Sequence, residues 1–233
     1  MSSDVDQLKL AAAESAAKLV ADGMIVGLGT GSTAAQVVTV LGNRVREGLR
    51  IVGVPTSERT AAQARAVGIP LSSLAEQPRI DLTIDGADEV EEGTLNLIKG
   101  GGGALLREKI VATASQRLII VVHDSKLVNQ LGHKFPMPAE VVAFGWQATA
   151  RQLERLGAKP VLRRGPDGEA FRSDGGNYIL DCTFGGIASV EALAERLDHV
   201  VGLVEHGFFI GMASEVHIAG AGGVRVLKSQ PHP

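Results

Sequence analysis

The stretch MIVGLGTGSTA, residues 24–34, joins a short apolar run to a glycine-rich turn and the start of a helical pattern. The run at 24–29 predicts a buried strand, and the following TAAQVVTVLGNRV predicts a helix from about Ser32. Glycines let a ligand approach the backbone closely, and the N–H groups at a helix N-terminus attract anions. The turn therefore predicts a phosphate site. The residues expected to form it are Gly27, Gly29, Thr30, Gly31, Ser32 and Thr33.

Apolar runs alternate with helical patterns as far as residue 125. Further strands are expected at 50–56 and 117–125. The stretch 79–89 holds another strand, which ends near Ile84 or Asp85. A helix follows Ser57, a residue suited to the N-cap, and ends before Gly68. Apolar strands interleaved with helices favour a mainly parallel sheet covered on both faces. We therefore predict a doubly wound, Rossmann-like α/β domain.

The pattern changes near residue 131, after which the order becomes β-α-β-β-α-β with a polar hairpin turn. This order resembles a ferredoxin-like α+β arrangement. The segment SEVHIAGAGGVRVLK, residues 214–228, predicts two strands that rejoin the first domain. Residues 1–130 and 206–233 are therefore expected to form the Rossmann-like domain, and residues 131–205 a smaller inserted α+β domain.

The composition argues against several classes of partner. A net charge of −3 and a pI of about 6.1 favour neither nucleic acid nor an anionic membrane. The N-terminal segment carries Asp4, Asp6 and Glu14 without the apolar core of a signal peptide, and no apolar run is long enough to span a membrane. We expect a soluble cytoplasmic protein, in which the single cysteine, Cys182, is a buried strand thiol.

The turn at 27–34 does not fit a dinucleotide. Its spacing is G-x-G-x-G, the second strand ends in VPTS without a carboxylate, and the chain has no GxxxxGK[ST] motif. The remaining alternative to a phosphate site is a plain turn into the helix with Ser32 as the N-cap and no ligand.

Two further motifs bring charged residues to the same predicted sheet edge. DGADE ends the third strand, and its Asp85 and Asp88 can accept hydrogen bonds from hydroxyls or move protons, although an ordinary turn capped by Asp88 is also possible. In LIKGGGGALLREKI, residues 97–110, four glycines between Lys99 and a helix predict an anion-binding loop. Glu108 would lie about one and a half turns into a helix that starts near Gly103. The alternative is that residues 107–109 form a solvated helix face.

HDSKL closes the fourth strand, where Lys126 could add positive charge for a phosphate; the alternative is an ordinary surface lysine. His123 is interpreted as a half-buried strand-end residue, and the six histidines show no HxH or HExxH spacing, so zinc chemistry has no support. A metal site at the two aspartates is weaker still because no histidine accompanies them.

GLGTGSTA, DGADE, KGGGGALLREK, HDSK and KFPMPAEV together resemble the type A ribose-5-phosphate isomerases, in order and approximate spacing over nearly the whole chain. The resemblance implies an enzyme without cofactor or metal that interconverts D-ribose 5-phosphate and D-ribulose 5-phosphate in the pentose phosphate pathway, as a homodimer or homotetramer. It implies Glu108 as the general base. It also implies an active site that includes Asp85, Asp88 and Lys99. The substrate-binding residues that it implies are Thr30, Gly31, Ser32, Thr33, Asp85, Gly86, Ala87, Asp88, Lys99, Gly100, Gly101, Gly102 and Lys126.

Two other functions share part of this pattern. Effector domains of sugar-responsive transcription regulators carry a similar GLGTGST loop, but they follow a basic DNA-binding segment that this N-terminal sequence does not resemble. Amino-sugar phosphate deaminases and coenzyme A transferases are related enzymes. The glycine run that leads into Glu108 argues against all of these.

Overall fold

A computed structural model describes residues 2–229 of the chain. The fold divides into two compact units. The first unit contains the residues up to Ala87, Arg107–Leu127 and the residues from Met212 onward, and the second contains Asp88–Leu106 and Val128–Gly211. Residues 88–106 thus group with the second unit, whereas the sequence analysis placed them in the first domain. Residues 206–211 were also expected in the first domain and likewise group with the second unit. A strand of the segment 88–106 pairs with a strand at residues 208–209, so the two segments group together.

The helices of the described part are α1 (Ser2–Ala17), α2 (Ser32–Arg46), α3 (Glu58–Ala66), α4 (Leu105–Thr113), α5 (Trp146–Arg155) and α6 (Val190–Leu197). The strands are β1 (Ile25–Leu28), β2 (Val52–Pro55), β3 (Leu82–Asp85), β4 (Glu89–Glu91), β5 (Leu97–Ile98), β6 (Leu118–His123), β7 (Leu127–Val128), β8 (Met137–Val141), β9 (Ala158–Leu162), β10 (Tyr178–Phe184), β11 (Leu203–His206), β12 (Phe208–Phe209), β13 (Glu215–Gly220) and β14 (Gly223–Lys228). None of the described helices is long and apolar enough to cross a membrane.

The first unit is built on a six-stranded sheet of order β14-β13-β6-β3-β1-β2. Its strands are parallel except for β14, which forms an antiparallel edge. The chain passes from β1 to β2 on one side and then returns to β3 on the other, so the direction of winding reverses between β1 and β3. Ligands of open α/β sheets bind at the carboxyl ends of the strands at such a reversal. The predicted doubly wound, mainly parallel sheet is confirmed.

Apolar residues on both faces of this sheet are buried, which explains the continuous apolar runs in the sequence. Val26 and Leu28 pack in one cluster with residues of α1 and α2, whereas Val54 packs in another with Ile80 and Val111. Helix α1 was not predicted, since it contributes mainly alanines to the core and has no strong apolar period.

The second unit contains an antiparallel sheet of order β11-β8-β10-β9 with helices α5 and α6, which is the ferredoxin-like order expected for β-α-β-β-α-β. Cys182 is fully buried in β10, as predicted, and burial raises the pKa of its thiol to about 12. A smaller sheet of order β12-β5-β4-β7 was not predicted because β5, β7 and β12 have only two residues each.

Candidate active site

The loop after β1 directs Thr30 into the interior of the first unit. The Thr30 hydroxyl lies 2.7 Å from Thr56 Oγ1, 2.8 Å from Ser57 Oγ and 3.2 Å from Thr60 Oγ1. Its backbone N–H donates to Asp85 Oδ1 at 3.0 Å. The N–H and the hydroxyl of Thr30 thus both bind other residues of the protein, and the hydroxyl cluster ties the loop to the start of α3.

The glycines at the end of β1 and in this loop permit close packing against β3. A Cβ on Gly27 would lie 1.8 Å from Thr83 Oγ1, and one on Gly29 would lie 2.2 Å from Asp85 Oδ1. Gly31 is the N-cap of α2 and has a φ of 113°. The expectation of Ser32 as the N-cap is therefore wrong, because Ser32 is the first residue of the helix. Ser32 is exposed and Thr33 half-buried at this N-terminus.

Asp85 is the last residue of β3 and is 1% exposed. Its Oδ1 accepts hydrogen bonds from the backbone N–H groups of Thr30 and Gly86, at 3.0 and 2.7 Å. These bonds fix the carboxylate beside the loop after β1, at the carboxyl edge of the sheet. The half-buried Gly86 and Ala87 then lead to Asp88, the first residue of the second unit.

Lys126 lies at the same edge of the first unit, in a 3₁₀ turn (Asp124–Lys126) that follows β6. His123 ends β6, is half-buried as predicted, and its Nδ1 lies 2.8 Å from Ser125 Oγ. Burial, and then the positive charge of Lys126, lowers the pKa of His123, so its imidazole is neutral at pH 7. The carboxyl ends of β1, β3 and β6 thus place the first loop, Asp85 and Lys126 along one edge.

In the second unit, Asp88 holds the glycine run rather than capping an ordinary turn. Its Oδ2 accepts the backbone N–H of Gly101 at 2.7 Å. Gly100 and Gly103 have φ values of 107° and 77°, which favour glycine, and a Cβ on Gly103 would lie 2.4 Å from the Phe171 ring. Gly101 and Gly102 are exposed. The loop therefore presents bare backbone to solvent, as an anion-binding loop requires.

Lys99 precedes these glycines and is 2% exposed. Its backbone N–H donates to the carbonyl oxygen of Gly207 at 2.9 Å, and its Nζ lies 5.4 Å from the centroid of the Phe209 ring. A Cβ on Gly207 would lie 2.5 Å from the Lys99 carbonyl oxygen, so this glycine allows the close approach of the two segments. A buried ammonium is costly unless it has a function or a partner, which separates Lys99 from ordinary surface lysines.

Glu108 lies in the first turn of α4 and is 3% exposed. The helix starts at Leu105 rather than near Gly103, so Glu108 lies nearer to its N-terminus than expected, where the helix dipole favours a negative charge. The neighbouring Arg107 forms a largely exposed ion pair with Glu58 at 2.9 Å. The solvated-face alternative therefore describes Arg107 but not Glu108.

Sequence reasoning missed the polar residues that hold the two loops. Thr56 and Thr60 bind Thr30, and Arg163 donates to the carbonyl oxygens of Gly100 and Gly101. Only Ser57, expected as the N-cap of α3 and confirmed by its bond to the N–H of Thr60, carried a signal. Within the described residues, no three His, Cys, Asp or Glu side chains form a group that could hold a metal ion.

Comparison with known proteins gives one consistent family. The model of ribose 5-phosphate isomerase A (phosphoriboisomerase A) matches residues 52–223. The chain is 63% identical to ribose-5-phosphate isomerase A of Gloeobacter violaceus over 230 residues, which cover 99% of this chain and all of the relative. It is also similar to the structure of ribose 5-phosphate isomerase A from Methanocaldococcus jannaschii, with 43% identity, a TM-score of 0.92 and coverage of 96% and 99% of the two chains.

Another solved structure is a D-ribose-5-phosphate isomerase in complex with phospho-erythronic acid. It has 38% identity to this chain, a TM-score of 0.93 and coverage of 96% and 99%. The family model covers most of the chain, and these relatives and structures match it over nearly its whole length. The chain belongs to the ribose 5-phosphate isomerase A family.

Proposed function

We propose that this protein interconverts D-ribose 5-phosphate and D-ribulose 5-phosphate through an enediol(ate), in the non-oxidative branch of the pentose phosphate pathway. The observation that carries the proposal is Glu108. In a chain of this family, a buried carboxylate stands in the first turn of the helix that follows the four-glycine loop.

Glu108 is the general base in this proposal. The reaction moves a proton from C2 of the open-chain aldose to C1, and one carboxylate can serve both carbons because they are bonded neighbours. Lys99 stabilises the negative charge that develops on the substrate oxygen. A positioned donor of this kind typically contributes about 3 kcal/mol to the transition state.

The two aspartates act on the sugar hydroxyls. Asp85 is assigned to opening of the furanose ring and Asp88 to holding hydroxyl groups, and the two roles could be exchanged. The bond from Gly101 to Asp88 supports the second role, because it fixes one carboxylate oxygen while the other can accept from a substrate.

The phosphate is bound by the first loop and by Lys126. Gly31, Ser32 and Thr33 supply N–H and hydroxyl donors at the N-terminus of α2, and Lys126 supplies positive charge. Thr30 supports the loop through its hydroxyl cluster. The remaining binding residues are Gly86 and Ala87, beside the aspartates, and Gly100, Gly101 and Gly102 of the glycine loop.

The test is turnover of ribose 5-phosphate by the purified chain, measured by the appearance of ribulose 5-phosphate in buffer that contains EDTA. We expect activity that EDTA leaves unchanged. Inhibition by EDTA that a divalent metal reverses would contradict the metal-free mechanism. Binding of ribose 5-phosphate without turnover would favour a sensor, and release of ammonia from glucosamine 6-phosphate would favour a deaminase.

The proposal includes a cytoplasmic location and a homodimer or homotetramer, as the sequence and the resemblance imply. Sedimentation equilibrium of the purified chain checks the second point, since the monomer has a mass of 24.3 kDa. A single species at the monomer mass would contradict it.

A further inference from the structure

The carbonyl oxygens of the glycine loop, residues 100–103, bind a side chain that lies outside all of the sequence motifs described above. Arg163 follows β9, and its Nη1 donates to the carbonyl oxygens of Gly100 at 3.0 Å and of Gly101 at 3.1 Å. The same guanidinium forms an ion pair with Asp181 of β10, through Nη2 to Oδ1 and through Nε to Oδ2 at 2.9 Å. Arg163 is only 14% exposed and Asp181 25%, so this fork is largely removed from solvent.

A second contact supports the same loop. The Arg163 guanidinium lies 5.9 Å from the centroid of the Phe171 ring, and the Arg163 carbonyl accepts the backbone N–H of Phe171 at 2.9 Å. The Phe171 ring in turn occupies the space that a Cβ on Gly103 would need. Arg163 and Phe171 thus hold the loop near both of its ends.

The geometry of the peptide bond links the orientation of the anchored carbonyl groups to that of the N–H groups that follow them. In a trans peptide the C=O and the following N–H point in opposite directions, and the described residues contain no cis peptide bond. Anchoring the Gly101 carbonyl on Arg163 therefore turns the N–H of the exposed Gly102 away from the guanidinium. The positive charge also polarises the two peptide groups and strengthens their N–H donors.

We infer that Arg163 is a positioning residue for the isomerase reaction, held in place by Asp181, and that it aims the Gly102 N–H at the substrate oxygen on which negative charge develops. The inference rests on the proposed function. Arg163 itself donates to main-chain oxygens, so it acts through the loop rather than by contact with the substrate.

Arg163→Ala tests this role, with Arg172→Ala as the matched control. Arg172 lies in the same hairpin, donates to the Gly176 carbonyl at 2.9 Å and lies 4.7 Å from the centroid of the Tyr178 ring, so its partners are within the hairpin. We expect kcat of Arg163→Ala to fall at least about tenfold while KM changes less than about threefold, since a transition-state donor is misplaced. The control is expected to stay within about twofold of the wild type.

Millimolar guanidinium provides a readout that a merely structural role would not move. We expect it to restore part of kcat in Arg163→Ala and to leave the wild type and Arg172→Ala unchanged. Equal activity of the two alanine variants, or a loss that guanidinium does not relieve, would overturn the inference.

Arg163→Lys keeps the charge and covers the case in which the alanine variant does not fold. One ammonium cannot reproduce the fork that joins two carbonyls to a carboxylate, so we expect most of the activity to be lost while the variant remains folded. Full activity of this variant would contradict the role of the fork.

Amide hydrogen exchange at Gly101 and Gly102, followed by NMR without substrate, separates this inference from the proposed function. Faster exchange in Arg163→Ala than in Arg172→Ala is expected. If the wild type does not turn over ribose 5-phosphate but exchange accelerates, the proposed function fails and the support of the loop stands. If exchange is unchanged, the positioning role fails whatever the activity.

Discussion

The protein contains two glycine-rich loops that look alike in sequence but use their glycines differently. Gly27 in β1 and Gly29 in the loop after β1 lie against β3, and the Thr30 hydroxyl of that loop points inward to other hydroxyls. In the loop at 100–103, Gly100 and Gly103 adopt positive φ angles, whereas Gly101 and Gly102 expose their backbone. Gly27 and Gly29 therefore serve close packing against β3, whereas Gly101 and Gly102 leave backbone exposed to solvent.

This difference predicts that substitutions at Gly29 and Thr30 mainly reduce stability, whereas a substitution at Gly101 mainly reduces activity. The largest expected effect is that of Gly29→Ala. Its Cβ would lie 2.6 Å from the Asp85 Cα, so the backbone of β3 must move. We expect a loss of about 3 kcal/mol in the free energy of unfolding, measured by urea denaturation.

Gly222→Ala is the matched control for that substitution, because a Cβ there meets nothing within 4 Å. It should change the free energy of unfolding by less than about 0.5 kcal/mol. If Gly29→Ala were as stable as this control, the packing role of the first loop would be refuted.

Gly101→Ala, in contrast to Gly29→Ala, should reduce activity rather than stability. Its Cβ would lie 2.5 Å from Asp88 Oδ1, so the carboxylate must turn away and loses its bond to the Gly101 N–H. We expect kcat/KM for ribose 5-phosphate to fall about tenfold, equivalent to about 1.4 kcal/mol, with little change in stability. Gly185→Ala, at a site in the same unit where a Cβ meets nothing within 4 Å, is the control. A loss of stability without a loss of activity would contradict the comparison.

Thr30→Val should reduce the free energy of unfolding less than Gly29→Ala does. The substitution removes a hydroxyl that contacts three others while keeping the shape of the side chain. We expect the free energy of unfolding to fall by about 1 kcal/mol, with KM for ribose 5-phosphate changed less than about twofold. A tenfold rise in KM at unchanged stability would show instead that this hydroxyl meets the substrate.

The smallest expected effect is a pH dependence of the free energy of unfolding, caused by His123 at the sheet edge of the first unit. Because the pKa of His123 is lowered in the folded state, the unfolded chain binds this proton first as the pH falls below about 6.5. Stability present at pH 7 should therefore decrease towards pH 5. Urea denaturation at pH 7 and pH 5 should show a smaller decrease in the free energy of unfolding for His123→Gln than for the wild type. An equal decrease in both proteins would rule out this contribution.

Residues that follow apolar strands were predictable, and residues that reach a site from a distant hairpin were not. Asp85 and Lys126 could be placed at one edge because Asp85 ends one parallel strand and Lys126 closely follows another. The direction of the Thr30 hydroxyl depends on Thr56 and Thr60, which have no pattern of their own. Arg163 lies beside a polar turn that reads as an ordinary hairpin, and only the pairing of β9 with β10 brings it to Asp181.

The most direct test of the central claim is kcat of Glu108→Gln with ribose 5-phosphate. Glutamine keeps the size of the buried side chain but cannot accept the C2 proton, so we predict a fall in kcat of at least about 100-fold with KM little changed. Glu195→Gln, an exposed position in α6, is the control and should match the wild type. Near-normal kcat in Glu108→Gln would contradict the assignment of Glu108 as the base.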